Sequence, residues 1–352
     1  MITEKENYLR CYRGEAPEWV PRFGNAAGQS SLSGGMGMKT YTTYPACVPV
    51  RPSFLNKDRT PDGGGFDVFG VEYEPTESMG GAALPKPGTY LIKDIEHWQD
   101  YVKAPDISNI DWEAMAAKDL ADIDREQTAI RVGLSGGYFQ SLVDMLGYED
   151  GLLAFYMYPD EVKALLKYRC DFFVTFAEKV MQYYKPDIFH CADDLSTARA
   201  PFISPEIYRE FIKPNTAREL AVGKKYGAFI DMHCCGKAEV FIDDWIEMGV
   251  QSWNPAQVSN DLLAVQKKYP ELVLIGCWDS QGPAGWLDTS EEETRTFVRQ
   301  CIDTYATTGR FIFWGSIYGS KSDPRVAEKA RWLSDEYGSY GRSYYQSHPI
   351  KK

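Results

Sequence analysis

Ala228-Phe-Ile-Asp-Met-His-Cys-Cys-Gly236 is the stretch that decides the fold. Ala228 to Met232 is a short, mostly apolar run. It ends in metal-capable side chains and a glycine, and Val240, Phe241, Trp245, Ile246 and Met248 follow at helical spacing. The pattern reads as a strand buried on both faces, a functional turn and an amphipathic helix. The same unit recurs from about residue 128 onward. Strands are expected at Thr128–Gly133, Asp187–His190, Val250–Trp253, Leu272–Ile275 and Arg310–Trp314. Between them lie helices opened by Pro159-Asp-Glu, which continues to Tyr184, by Ser204-Pro-Glu and by Ser322-Asp-Pro, where capping residues precede or include a proline. Repeated strand–helix units with right-handed crossovers imply a parallel sheet.

Six units are visible, and two more strands are expected from the first 125 residues, one around Trp19-Val-Pro-Arg-Phe23. Eight strands close a barrel, and the absence of a glycine-rich dinucleotide fingerprint argues against an open sheet. The expectation is therefore an α/β chain folded as one (β/α)8 TIM barrel over residues 1–352, with an irregular N-terminal extension over 1–125. In that extension Gly24–Gly37 and Pro61–Gly65 read as loops, and Phe66–Glu74 as a hairpin with alternating faces.

Composition narrows the function. A formal charge of −12 argues against nucleic-acid or anionic-membrane surfaces, which need clustered Lys and Arg. No apolar stretch approaches a membrane span, and the charged start Met1-Ile-Thr-Glu-Lys-Glu lacks the core of a signal peptide, so a cytoplasmic location is expected. The eight cysteines then read as reduced thiols. Tyr, Phe and Trp number 23, 17 and 9, which suits both core packing and a pocket for a flat or apolar substrate.

In a barrel the active site lies at the carboxyl ends of the strands. Those ends carry Ser135-Gly-Gly-Tyr-Phe139, Asp193-Asp194, His233-Cys-Cys-Gly236, Asn254-Pro255, Gly276-Cys-Trp-Asp279 and Gly315-Ser-Ile-Tyr318. His233 and Cys235 are two apart, so at an extended strand end they point the same way and can share one ion. Imidazole with thiolate suits zinc. Cys277, at the second strand end further on, is the first choice for a third ligand, with Glu72, Glu74, Asp193 and Asp194 as oxygen alternatives. Cys234 is expected to point into the wall. Asp193, Asp194 and Asp279 are candidate catalytic carboxylates, weighed against solvated-loop and capping roles. Tyr138, Phe139, Trp253, Asn254, Trp278, Trp314 and Tyr318 are candidate substrate-binding residues.

The set Asp193-Asp194, Ile203-Ser-Pro-Glu-Ile-Tyr-Arg-Glu-Phe211, His233-Cys-Cys-Gly236 and Leu274-Ile-Gly-Cys-Trp-Asp279 resembles the uroporphyrinogen decarboxylase superfamily. Within it, the His-x-Cys-Gly element is similar to the cobalamin-dependent methyltransferase branch. The resemblance implies a (β/α)8 barrel, zinc, and methyl transfer to or from a corrinoid (cobalamin) carried by a partner corrinoid protein. Two departures shape the substrate. The segment around Val20–Asn25 lacks the arginines with which decarboxylases hold a porphyrinogen's carboxylates. Trp314-Gly-Ser-Ile-Tyr318 lacks the late cysteine of thiol-specific methyltransferases. With the aromatic composition, these departures point to a methoxylated aromatic as the methyl donor. The alternatives are a metal-free decarboxylase and a non-catalytic barrel that binds a corrinoid or tetrapyrrole.

Overall fold

The structure, a computed structural model, describes residues 2–23, 44–76, 83–134, 137–320 and 322–350. Its strands in chain order are β1 (Cys47–Val50), β2 (Gly65–Phe66), β3 (Glu72–Pro75), β4 (Ala83–Pro85), β5 (Ala129–Gly133), β6 (Ile188–Ala192), β7 (Phe229–His233), β8 (Ser252–Ala256), β9 (Val273–Gly276) and β10 (Phe311–Phe313). Seven of them form one sheet in the order β1-β5-β6-β7-β8-β9-β10, parallel throughout. The six units read from residue 128 onward are all present.

The barrel expected from the sequence is not closed. Beyond β10 the Trp19–Phe23 stretch contributes a single parallel bridge between Arg22 and Phe313 rather than a strand. Phe23 N–H donates to the Phe313 carbonyl and Phe313 N–H to that of Pro21, both at 2.9 Å. Pro21 has no N–H to extend the ladder. Among the described residues no ladder joins this segment to β1, so the fold is a TIM-like, seven-stranded parallel sheet. The loop expected at Gly24–Gly37 lies outside the described residues, as do Ser135 and Gly136 of the first strand end.

β8 starts two residues later than its pattern suggests and runs through Asn254 and Pro255, whose peptide bond is cis. Proline reads as a strand terminator; here it sits where the pairing with β9 shifts register between Trp253 and Ala256. The hairpin expected at Phe66–Glu74 is present, with Phe66 opposite Glu72, and β4 extends it to three antiparallel strands. Helix Pro159–Tyr184 starts on its proline, carries Asp160 and Glu161 in its first turn, and buries Val162, Leu165, Phe172 and Phe173.

Beneath the carboxyl ends of the strands the core is ionic. Asp231, fully buried on β7, accepts from His190 Nδ1 at 2.8 Å and Ser252 Oγ at 2.6 Å, and lies 3.4 Å from Arg131 Nη1. Arg131 Nη2 meets His190 Nε2 at 3.1 Å. A guanidinium can only donate, so Nε2 must be the bare nitrogen and Nδ1 the protonated one. Burial and the Arg131 charge accordingly push His190 down to about 4, and both act against a second proton. Burial alone would raise the Asp231 carboxyl, but Arg131 and His190 outweigh it and hold the group at about 2.

His190 binds its proton less well folded than unfolded, so its contribution to stability is present above about 6.5 and is lost as pH falls towards 4. Chemical denaturation across that window is expected to show a loss of roughly 3 kcal/mol from this group. His190→Asn should flatten the slope, and an unchanged slope would remove His190 from the account.

Candidate metal centre

His233 ends β7, and Cys235 follows it with Cys234 between them. The pleat sends His233 and Cys235 to one side and Cys234 to the other. His233 Nε2 lies 3.5 Å from Cys235 Sγ, while Cys234 is fully buried with its sulfur 3.4 Å from the Leu195 N–H. Gly236 closes the turn at φ 82°, where a Cβ would collide with the carbonyls of Ser196 and Thr197. The third member is Asp194, after β6: its Oδ1 accepts the Cys235 N–H at 2.8 Å and sits 3.6 Å from His233 Nε2. Asp194, His233 and Cys235 bring ligand atoms within 4.8 Å of one another, and all three are half-buried.

The orientation of His233 is set from below. Asn254 donates through Nδ2 to both Asp231 oxygens at 2.8 Å. Since a carboxylate only accepts, the amide is fixed with Oδ1 towards His233 Nδ1, 3.0 Å away. Nδ1 therefore carries the proton, and the Nε2 lone pair faces Cys235 and Asp194. This is the arrangement in which a ligating histidine is held by a partner behind it.

The donor set fits a cation. Burial and the Asp194 charge push the Cys235 thiol well above its ordinary range. A bound metal would stabilise thiolate and carboxylate together, displacing the thiol proton. Nitrogen, sulfur and oxygen donors of this kind suit zinc. Cys277, the first choice from the sequence, lines the same cavity but is not part of the cluster. It occupies left-handed backbone (φ 58°), its N–H bound to the Ala256 carbonyl, and Asp194 holds the third place.

The cavity above the cluster measures about 560 Å³. Trp278, Trp314 and Tyr318 line it, as their strand-end positions suggest. The other expected substrate contacts lie elsewhere. Tyr138 is buried with its hydroxyl on Glu219 at 2.8 Å. Phe139 is buried against Phe202, and Trp253 is buried with Nε1 on the Cys234 carbonyl. Asn254 serves His233 rather than substrate. Among the carboxylates, Asp193 takes the backbone N–H groups of Tyr138, Phe139 and Gln140 at 2.9–3.0 Å, capping helix Tyr138–Leu146. Burial pushes its carboxyl up to about 7 while those three donors pull the other way. Asp279 caps a turn through Gly282 N–H and is not in the lining.

Sequence reasoning missed the cavity's other wall. Gln140 and Asp144, four apart on helix Tyr138–Leu146, meet Tyr73 of β3 there. Asp144 Oδ2 accepts from the Tyr73 hydroxyl and Oδ1 from Gln140 Nε2, both at 2.7 Å. Burial pushes its carboxyl up to about 6. The i, i+4 polar pair directly after a strand end was the available signal.

Fold and site together define a TIM-like α/β protein with a metal-capable cluster at the carboxyl ends of its strands. The chain belongs to the uroporphyrinogen decarboxylase (URO-D) family, whose model matches residues 65–315. Among solved structures it is similar to a methyltransferase from Methanosarcina mazei, with a TM-score of 0.63 at 12% identity over 96% of this chain and 99% of that one; the likeness is one of fold. A structure described as "Native KDPGal structure" aligns at 12% identity over 64% of this chain and 86% of that one, with a TM-score of 0.24 that carries no weight. No curated protein matches.

Removing the support behind His233 should loosen the site. Asn254→Ala is expected to lower affinity for a divalent metal about 10–100-fold and stability by about 1–3 kcal/mol, read by chelator competition and by chemical denaturation. Unchanged metal affinity would mean that His233 needs no such support.

Proposed function

We propose that the chain is a zinc-dependent methyltransferase that moves a methyl group between a methoxylated aromatic and the Co(I) corrinoid of a partner protein. The observation that carries this reading is the convergence of Asp194, His233 and Cys235 on an aromatic-walled cavity. The fold shared with a methyltransferase is compatible with it. Zinc held by these three side chains would supply Lewis acidity to a departing heteroatom, whose poor leaving ability is the main barrier to cleaving an aryl ether.

The chain's own residues do the rest by position. Asn254 keeps the His233 ring turned towards the cavity. Trp278 and Trp314 offer flat apolar surface against which an arene is held and water excluded. In the forward direction the methyl carbon–oxygen bond breaks, the methyl group leaves without the bonding electrons, and the phenoxide takes a proton from solvent.

Porphyrinogen decarboxylation, the activity in the family's name, is disfavoured by charge. Among the described residues the lining holds Asp144, Asp193 and Asp194 and neither Arg nor Lys, which would repel a polycarboxylate.

The test combines metal analysis with turnover. Wild type is expected to purify with about one zinc per chain, to release phenol from a methoxyarene, and to consume Co(I) cobalamin, followed by its visible absorbance. Cys235→Ala should lose most of the zinc and at least 100-fold in rate. Full zinc in that variant, or methylation of thiols with no methoxyarene turnover, would overturn the reading.

A further inference from the structure

The cavity wall formed by helix Tyr138–Leu146 and β3 carries a feature that the methyl-transfer step does not use. Asp144 is 6% exposed and lines the cavity, yet among the described residues it has no ion pair. Two cations bear on it without forming an ion pair: Arg169, whose Nη2 donates to Ser141 Oγ at 2.8 Å and whose guanidinium lies 4.2 Å from the centre of the Phe69 ring, and Arg59, whose guanidinium lies 4.0 Å from the centre of the Tyr73 ring. A carboxylate that is nearly out of solvent and lacks a counter-ion is costly. Tyr73 and Gln140 offset part of that cost with one hydrogen bond to each oxygen. A carboxylate accepts about four hydrogen bonds, so roughly two acceptor positions are left for a donor.

Three further observations define that donor. Among the described residues the lining holds three carboxylates and neither Arg nor Lys, so its field favours positive charge over negative. Tyr73, Tyr148, Phe202 and Trp278 provide aromatic surface, which also favours a cation. Asp144 lies one helical turn beyond Gln140, about 6 Å of rise, and the Gln140 N–H is held by Asp193, next to the cluster member Asp194. Asp144 and the cluster therefore line one cavity of about 560 Å³, and a single ligand can face both.

We infer that Asp144 is the specificity-determining residue of this cavity and that the methyl donor carries a protonated amine, placed against Asp144 while its methoxy group faces Asp194, His233 and Cys235. This rests on the methyl-donor reading of the site and adds the substrate class to it.

Binding to the zinc-loaded protein, without corrinoid, separates the two. Calorimetry at pH 8 would compare 4-methoxybenzylamine, 4-methoxybenzyl alcohol and 4-methoxybenzoate, which differ chiefly in the charge presented to Asp144. The amine is expected to bind at least tenfold more tightly than the alcohol, with the benzoate weakest. Asp144→Asn, which keeps the shape and removes the charge, should bring the amine within threefold of the alcohol. The inference is overturned if the benzoate binds as tightly as the amine, if the amine shows no binding, or if Asp144→Asn keeps the tenfold preference. Should that variant melt below the assay temperature, the wild-type ranking decides alone. A chain that binds the amine but takes no methyl from it fails only as a transferase; one that demethylates the benzoate as fast as the amine fails only this inference.

Discussion

A carboxylate with no exposure to water, Asp231, is the constraint on which the rest of this structure depends. A buried charge is tolerated only when it is paired and hydrogen-bonded. The partners of Asp231 come from three other strands of the sheet: Arg131 from β5, His190 from β6, Ser252 and Asn254 from β8. In the sheet register His190 and Ser252 lie directly across from Asp231, so a slip of one residue would break the set and turn the charge to the wrong face. The same group fixes the Asn254 amide, and through it the His233 imidazole. One buried charge thereby ties the pairing of four strands to the direction of a metal-capable nitrogen.

How much of this was legible in the sequence follows from the range over which each feature is encoded. The strands were readable because their residues are buried on both faces, and His233 with Cys235 because a spacing of two on extended backbone is a local fact. The choice among third ligands was not local. Strand-end position identifies which loops converge, but Cys277 was lost to the left-handed turn of its own backbone, while Asp194 reached the cluster by capturing the Cys235 N–H. For the aromatics, Trp253 and Trp278 both stand near strand ends; one is fixed in the wall by the Cys234 carbonyl, the other by Ser316 with its ring at the cavity. The pairing of Asp144 with Tyr73 was out of reach, since 71 residues separate them in the chain and only the packing of the three-stranded sheet over the cavity brings them together.

The eighth position of the barrel was the other failure, and it has a physical cause. Val20-Pro-Arg-Phe23 has strand-like composition, but Pro21 withholds the N–H that a ladder needs, leaving one bridge to β10. Arg22 then turns away from the cavity, with Nη2 on Ser334 Oγ at 3.2 Å and its guanidinium over the Tyr337 ring. The arginine nearest the strand interiors, Arg131, is likewise committed, between Asp231, His190 and the Phe23 ring.

These commitments bear on what a shared scaffold can do. A fold sets where a site lies, while the charge of its walls sets which substrates enter. A polycarboxylate needs free cations at the mouth or along the walls, and Arg22 and Arg131 are bound to other side chains, while no Arg or Lys is among the described lining residues. What lines the cavity instead is the Asp194–His233–Cys235 cluster, Asp144 and a set of aromatic rings. The uncompensated charge at the cluster and that at Asp144 are resolved by different means. At the cluster, burial and the Asp194 charge disfavour the Cys235 thiolate until a metal joins them; on the wall formed with Tyr73, Asp144 has two hydrogen bonds and no direct ion pair among the described residues. On the proposed reading, metal and substrate would each complete an electrostatic arrangement that the protein leaves half-made, and the cavity would select a donor positive at one end and able to release an anion at the other.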